Sequence, residues 1–573
     1  MTPLLLLSTA LAGPRSPTAH DVQFAPLGVP TTLEERGAVR FSPSVVIDGV
    51  SRPLTFQTLT RTGEAIGSVP FGVVLDRQGR PMSDDDGAPL TCDGADFGAV
   101  IEQGRHTWLL QHVECIPSAL YATELAFDPA GIARVQRTVP LAASPYGAVN
   151  HCAGVITPWN TLLSSQEYEP EARAIGALGG QPPNDNYGYT RLGTYLGVPM
   201  AEVDPYRYGW MPEVRPTRSK RTTSFSSTLH PTMGRFSHEL GSVLPDGRTV
   251  LLSDDGPNGG LFLFVADRRA DLSAGTLYAA RLTGSGEGTF DLAWISLGHA
   301  TDRTIEDALD RGVRFENLFA TAEPSGPGTC PEGYTSTRTM DTFDTSRTLH
   351  ECLMLKPDQA LLASRLETRR YAAYVGATTE LLKAEGITFD AARNALFLAV
   401  TEIGKGMLAA GPHDVGGPDH IRLPPNACGA VWRLPMGTSD ATGSDYTPLR
   451  VETLTMGRPV ANDRCDAEAI ANPDNLTFLT GSPWLIAAED TRRHDNATLW
   501  AINVDTGTHA RLATAPWGGE FTGIWWHRDV ADHAFLSVTV QHPYAHGRPE
   551  GAPSDATMPS FTGIWGPFPV WKR

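Results

Sequence analysis

The chain has 573 residues, a formal net charge of -18, 41% hydrophobic and 19% charged residues. These are globular proportions, and the acidic balance, with no basic stripe carrying interleaved aromatics, excludes nucleic acid as a partner. After the first few residues no apolar stretch is long enough to span a bilayer, and Gly 57 with Pro 45 implies many turns joining many short elements.

At the start, Met1-Thr2-Pro3, then Leu4 to Leu7 and Ser8 to Ala12, resembles a short signal peptide without a basic n-region. Residues 1–19 are therefore expected to be a leader or a disordered terminus, and the protein to be periplasmic or secreted. The cysteines agree with export: six of the seven fall into neighbouring pairs, Cys92 with Cys115, Cys330 with Cys352 and Cys428 with Cys465. Cys152 is left over, as a reactive group, a metal ligand or a buried apolar side chain. Residues 20–573 contain nothing resembling an interdomain linker and are expected to form one domain.

In the N-terminal third, 72–75 and 106–113 predict strands. From about residue 235 a unit recurs: a turn, a short β-rich run with a polar or acidic end, another turn and a second run. Examples are 247–255 with 261–265, 395–402 with 429–434, 484–490 with 498–504, and 535–541. Repeated hairpins of this kind predict an all-β fold of propeller blades with helical and loop insertions. A pair of β-sandwiches would not need polar strand ends in every repeat. Only 304–319 and 357–371 read as helical, giving a helical insertion at about 301–372 that decorates a loop between blades.

Several catalytic motifs are missing: there is no Walker loop, Gly-x-Ser-x-Gly elbow or His-x-His pair. His238-Glu239 begins like a zincin helix, but Ser242 stands where histidine is required. What remains is a set of acids in Gly-, Pro- and aromatic-rich surroundings: Glu167, Glu239, Glu385, Asp474 and Glu520. Each alone is an ordinary strand-end carboxylate. In a propeller, however, corresponding loops meet around the central channel, so one acid per blade makes a ring. Two like charges about 4 Å apart repel by roughly 4 kcal/mol at an effective dielectric near 20, so such a ring must protonate or recruit cations. Carboxylates suit calcium and thiolate suits iron, copper or zinc, so the mixture predicts more than one kind of metal.

The run Asn150-His151-Cys152-Ala153-Gly154-Val155-Ile156-Thr157-Pro158-Trp159, followed by Gln166-Glu167, resembles the signature of the PhoX-type alkaline phosphatases. Supporting segments are 234–239, Asp254-Asp255, Pro473-Asp474-Asn475-Leu476, 519–523 and Gln541-His542-Pro543. The resemblance covers most of the chain. It implies a six-bladed propeller, acting as a monomer, whose channel holds an iron and calcium cluster that hydrolyses small-molecule phosphate monoesters. Carried over, Cys152 would ligate ferric iron, and Glu167, Glu239, Glu385, Asp474 and Glu520 would supply carboxylates to iron and calcium. Two departures stand out. Gln166 replaces the first of two consecutive acids, which would remove a calcium contact, and Lys383-Ala384-Glu385 replaces Arg-Pro-Glu. Lys383, the expected catalytic cation, keeps the charge but loses the bidentate fork. These departures favour a second reading, a non-catalytic calcium-binding propeller. A third, a lactonase-like propeller hydrolase with one divalent ion, gives Cys152 no role.

Overall fold

The computed structural model describes residues 20–571 except 68, 186, 219–222, 285–287, 410 and 546–557. The expected leader lies outside the described residues. Apolar runs punctuated by Gly, Pro and Asp form antiparallel meanders, and six of these carry the fold. The first comprises Ala95–Gln103, His106–Val113, Ala119–Phe127 and Ala133–Leu141; the second His151–Ile156, Leu162–Gln166, Pro212–Arg218 and Thr223–Leu229. The third runs from His238–Val243 through Thr249–Asp254, Leu261–Arg268 and Asp271–Thr283 to Thr289–Thr301. The fourth contains Ala384–Asp390, Ala395–Val400, Ala430–Ser439 and Arg450–Met456, and joins the third along Thr289–Thr301. The fifth has Pro473–Phe478, Trp484–Glu489, Thr498–Asn503 and His509–Thr514. The sixth takes Glu520–Val530, His533–Gln541 and Phe561–Phe568 from the C-terminal end and Thr55–Arg61 from the N-terminal end.

The first strands of the six sheets pack against one another in sequence order, and that of the sixth packs back on that of the first. A closed ring of innermost strands with sheets radiating outward is a β-propeller, so the all-β propeller expectation is met. Between sheets lies a dry core. Val250, Leu252, Phe262, Phe264, Leu396 and Leu398 belong to one buried cluster, and Leu499, Leu536, Val538 and Trp565 to another. The three cysteine pairs form disulfides as expected, and Cys152 is free.

Two local expectations are corrected. Residues 72–75 form no strand and make only isolated bridges, Val73 to Thr91 and Leu75 to Pro81, because Gly72 turns the chain with φ +92°. The segment between the third and fourth sheets carries the helices Asp302–Asp310, Phe315–Leu318, Ala360–Leu366 and Thr368–Tyr374, but also a three-stranded sheet of Phe319–Ala322, Thr335–Met340 and Thr348–Leu355. That sheet is pinned by Cys330–Cys352. Its alternating polar runs hide it from a search for apolar strands.

Candidate metal centre

Each innermost strand breaks register at the same place. Two residues face a single residue of the neighbouring strand, a β-bulge, at 96–97, 152–153, 239–240, 385–386, 474–475 and 523–524. The first residue of each bulge is Asp96, Cys152, Glu239, Glu385, Asp474 and Gly523. Bulges re-aim side chains, and the first five of these all line one cavity of about 250 Å³. Gly523 cannot join them. Its φ is +57°, and a Cβ there would lie 2.3 Å from the Asp96 carbonyl oxygen. Glu520, three residues earlier, supplies the acid of the sixth sheet.

A second tier follows from the same hairpins. The residues just past the second strand of the first, second, third and fifth sheets are Glu114, Glu167, Asp255 and Asp490, and all four line the cavity. In the fourth sheet this position is Thr401, whose hydroxyl donates to Glu385 Oε1 at 3.2 Å. All seven residues singled out from the sequence, Cys152, Glu167, Glu239, Lys383, Glu385, Asp474 and Glu520, line this one cavity. Sequence reasoning missed Asp96, Glu114, Asp255 and Asp490 as members of it. It also missed Asn475, which donates to Glu239 Oε1 at 3.3 Å and accepts from the Gly523 amide at 2.6 Å.

Gln166 is not a cavity residue. It lies one position behind the second tier, where its Oε1 accepts from the Gly209 amide at 3.0 Å. Glutamine there serves the backbone, one place behind the acids that face the cavity.

The electrostatics are those of a cation site. Cys152 Sγ donates to Glu239 Oε2 at 3.1 Å, and burial with Asp96 and Glu167 nearby pushes its thiol well up. Burial, reinforced by mutual repulsion, also drives Glu167, Glu239, Glu385 and Glu520 far above the usual carboxylate range, and burial does the same to Asp474. Burial and Glu114 raise Asp96 to about 8. Lys383 is the counter-charge. Its ammonium sits 3.0 Å from Glu385 Oε1 and 3.7 Å from Asp255 Oδ1. Burial alone would lower its pKa, but these two carboxylates outweigh it and hold the amine firmly charged. Tyr168 donates to Asp255 Oδ2 at 2.6 Å.

Two cations, Lys383 and the exposed Arg492, among nine lining carboxylates leave a large excess of negative charge. Donor atoms of Cys152, Glu167 and Glu239 lie within 4.8 Å of one another, as do those of Glu239, Glu385 and Asp474. Glu167 Oε2 is buried without a hydrogen-bond partner. This donor set fits multivalent metal: it brings thiolate and carboxylate together, shares Glu239 between two groups, and leaves an oxygen whose desolvation nothing else offsets.

The sequence profile of the family "Alkaline phosphatase PhoX" matches residues 121–544. Among solved structures, Pseudomonas fluorescens PhoX in complex with vanadate, a transition state analogue, is similar at TM-score 0.55 and 18% identity, over 90% of this chain and 98% of that one. A Bacteroides uniformis structure named for 6-phosphogluconolactonase reaches TM-score 0.28 at 12% identity, over 79% of this chain and 93% of that one. Curated protein sequences give no significant match.

Proposed function

The chain belongs to the alkaline phosphatase PhoX family, and from that premise we propose that it is a metal-dependent phosphatase hydrolysing phosphate monoesters in the propeller channel. The observation that carries this reading is the convergence of Cys152 with Glu167, Glu239, Glu385, Asp474 and Glu520 on one cavity. We read each meander as a blade, which makes six blades, and place the enzyme in an oxidising compartment, periplasmic or extracellular, where its three disulfides persist.

Iron fits the group containing Cys152, with Glu167 and Glu239, because thiolate is a soft donor; calcium fits the all-oxygen group of Glu239, Glu385 and Asp474. When bound, such metals would draw charge from the phosphoryl oxygens and lower the pKa of an oxygen nucleophile. The chain's own residues do the rest. Lys383 holds a non-bridging phosphate oxygen with its ammonium, as a point charge and not a fork. Tyr168 fixes Asp255 through its hydroxyl, and Asn475 fixes Glu239.

Elemental analysis with a visible absorption spectrum and p-nitrophenyl phosphate turnover tests the reading. The protein should contain iron and calcium, absorb in the visible through thiolate-to-iron charge transfer, and release phosphate. Cys152→Ser should lose the band and the iron while keeping its circular dichroism. A colourless, inactive protein holding only calcium would instead establish the non-catalytic propeller. Full iron and activity in Cys152→Ser would refute the ligand assignment.

A further inference from the structure

The segment after the second strand of the second sheet alternates acids: Glu167, Glu169 and Glu171, separated by Tyr168 and Pro170. Only Glu167 of the three faces the cavity. The other two are taken by consecutive arginines of the helix Thr368–Tyr374, which belongs to the segment inserted between the third and fourth sheets. Arg370 binds Glu171 at 2.6 Å, Glu367 at 2.7 Å and Glu351 at 2.6 Å. Arg369 reaches toward the cavity. Its Nη1 donates to Glu169 Oε1 at 3.0 Å, while Nε and Nη2 donate to Asp254 at 2.9 and 2.6 Å.

The fork on Asp254 is bidentate and fully buried, the geometry in which guanidinium fixes direction as well as charge. Asp254 precedes the cavity acid Asp255, as Glu169 lies two residues beyond the cavity acid Glu167. The same rank in the fifth sheet, Glu489, is satisfied from its own sheet by Trp500 Nε1 and the Thr498 amide. In the third sheet the equivalent carboxylate is instead held by a side chain from outside the propeller. We propose that Arg369 is a positioning residue for the cavity: by clamping Asp254 and Glu169 together it sets the separation of Asp255 and Glu167, and through Asp255 the placement of Tyr168 and Lys383. The inserted segment thus completes the centre. This inference rests on the metal-centre reading for its catalytic consequence, though not for its structural one.

Arg369→Lys and Arg369→Met in the full-length protein test it, against Arg338→Met as a control. Arg338 is equally buried and paired with Asp414 at 2.6 Å and Glu380 at 3.4 Å, away from the cavity. Hydrogen exchange should accelerate at 165–171 and 253–256 in both Arg369 variants and stay protected there in the control. Iron and calcium retention against a chelator should weaken tenfold to a hundredfold, the scale for removing a group that orients metal ligands. Lysine should recover part of the loss. If Arg369→Met fails to fold, Arg369→Lys decides by the same readouts. Unchanged exchange at both segments in a folded Arg369 variant, or an equal acceleration in the control, overturns the proposal. Absence of metal from the unmodified protein would overturn the centre instead and leave the exchange result to judge the clamp.

Discussion

Lys383 adopts φ +53° just before its strand, a left-handed conformation that side-chain-bearing residues adopt at a cost. Its amide donates to Gly256 O at 3.0 Å and its carbonyl accepts from the Thr401 amide at 3.1 Å, so the backbone is held from both sides. Removing the amine in Lys383→Ala should lower kcat about 10²- to 10³-fold on p-nitrophenyl phosphate, the scale for deleting one preorganised electrostatic donor. Metal content should not change. Parallel loss of metal would mean that Lys383 serves the carboxylates and not the phosphate. Residues such as Glu239, Glu385 and Asp474 were legible because each stands in a Gly-, Pro- or aromatic-rich stretch that the family resemblance singles out. Asp96, Glu114 and Asp490 were not, since in sequence they are indistinguishable from solvated strand ends. The signal lies in the hairpin spacing: sixteen residues separate Glu239 from Asp255, Glu385 from Thr401 and Asp474 from Asp490, fifteen separate Cys152 from Glu167, and eighteen Asp96 from Glu114. That period becomes meaningful only once the bulge fixes which residue faces inward, and the bulge is a property of paired strands.

At the scale of elements, the inserted segment is tied to the second sheet by a buried histidine as well as by arginines. His230 contacts Asp302 at 2.9 Å through Nδ1 and Glu213 at 3.2 Å through Nε2, and Glu213 also accepts from Trp159 and Thr161 near the end of the signature run. Burial alone would lower the His230 pKa, but hydrogen bonds from its ring to Asp302 and Glu213 outweigh it and raise the pKa to about 9. A folded pKa above the unfolded value of about 6.5 means that this stabilisation is fully present below pH 6.5 and is lost as pH rises through 9. The shift corresponds to about 3 kcal/mol. Thermal denaturation of chelator-treated protein at pH 6 and pH 10 should therefore show a larger loss for the unmodified chain than for His230→Gln. Equal losses would mean that the histidine is neutral in the fold. None of this was legible from the sequence, because Glu213, His230 and Asp302 lie on three elements whose meeting depends on where the insertion docks.

At the scale of the molecule, a ring of sheets is stable only if its first and last members meet, and here the closure is made by the N-terminal segment. Thr55–Arg61 supplies the outer strand of the sixth sheet, pairing with Phe561–Phe568 from Thr55 opposite Gly566 to Arg61 opposite Phe561. Arg40–Phe41 extends the fifth sheet by pairing with Ala513 and Thr514. Phe41 stacks on Phe56 with ring centroids 4.3 Å apart and packs with Trp565 and Phe521, so one aromatic cluster seals both seams. This closure escapes a reading of the sequence, since the partners are some five hundred residues apart and Thr55–Arg61 carries no apolar run. Deleting residues 20–61 would leave two strand edges open and expose the aromatic cluster, and open edges of that kind pair with other chains. Size-exclusion chromatography should show aggregates where the intact chain elutes as a discrete species, and the deletion should abolish metal retention although every cavity residue is still present. A discrete, metal-retaining product would mean that the packing of the six innermost strands suffices to hold the ring. Because Asp96 and Glu520 come from the sheets on either side of the closing seam, the integrity of the centre and that of the ring are expected to fail together.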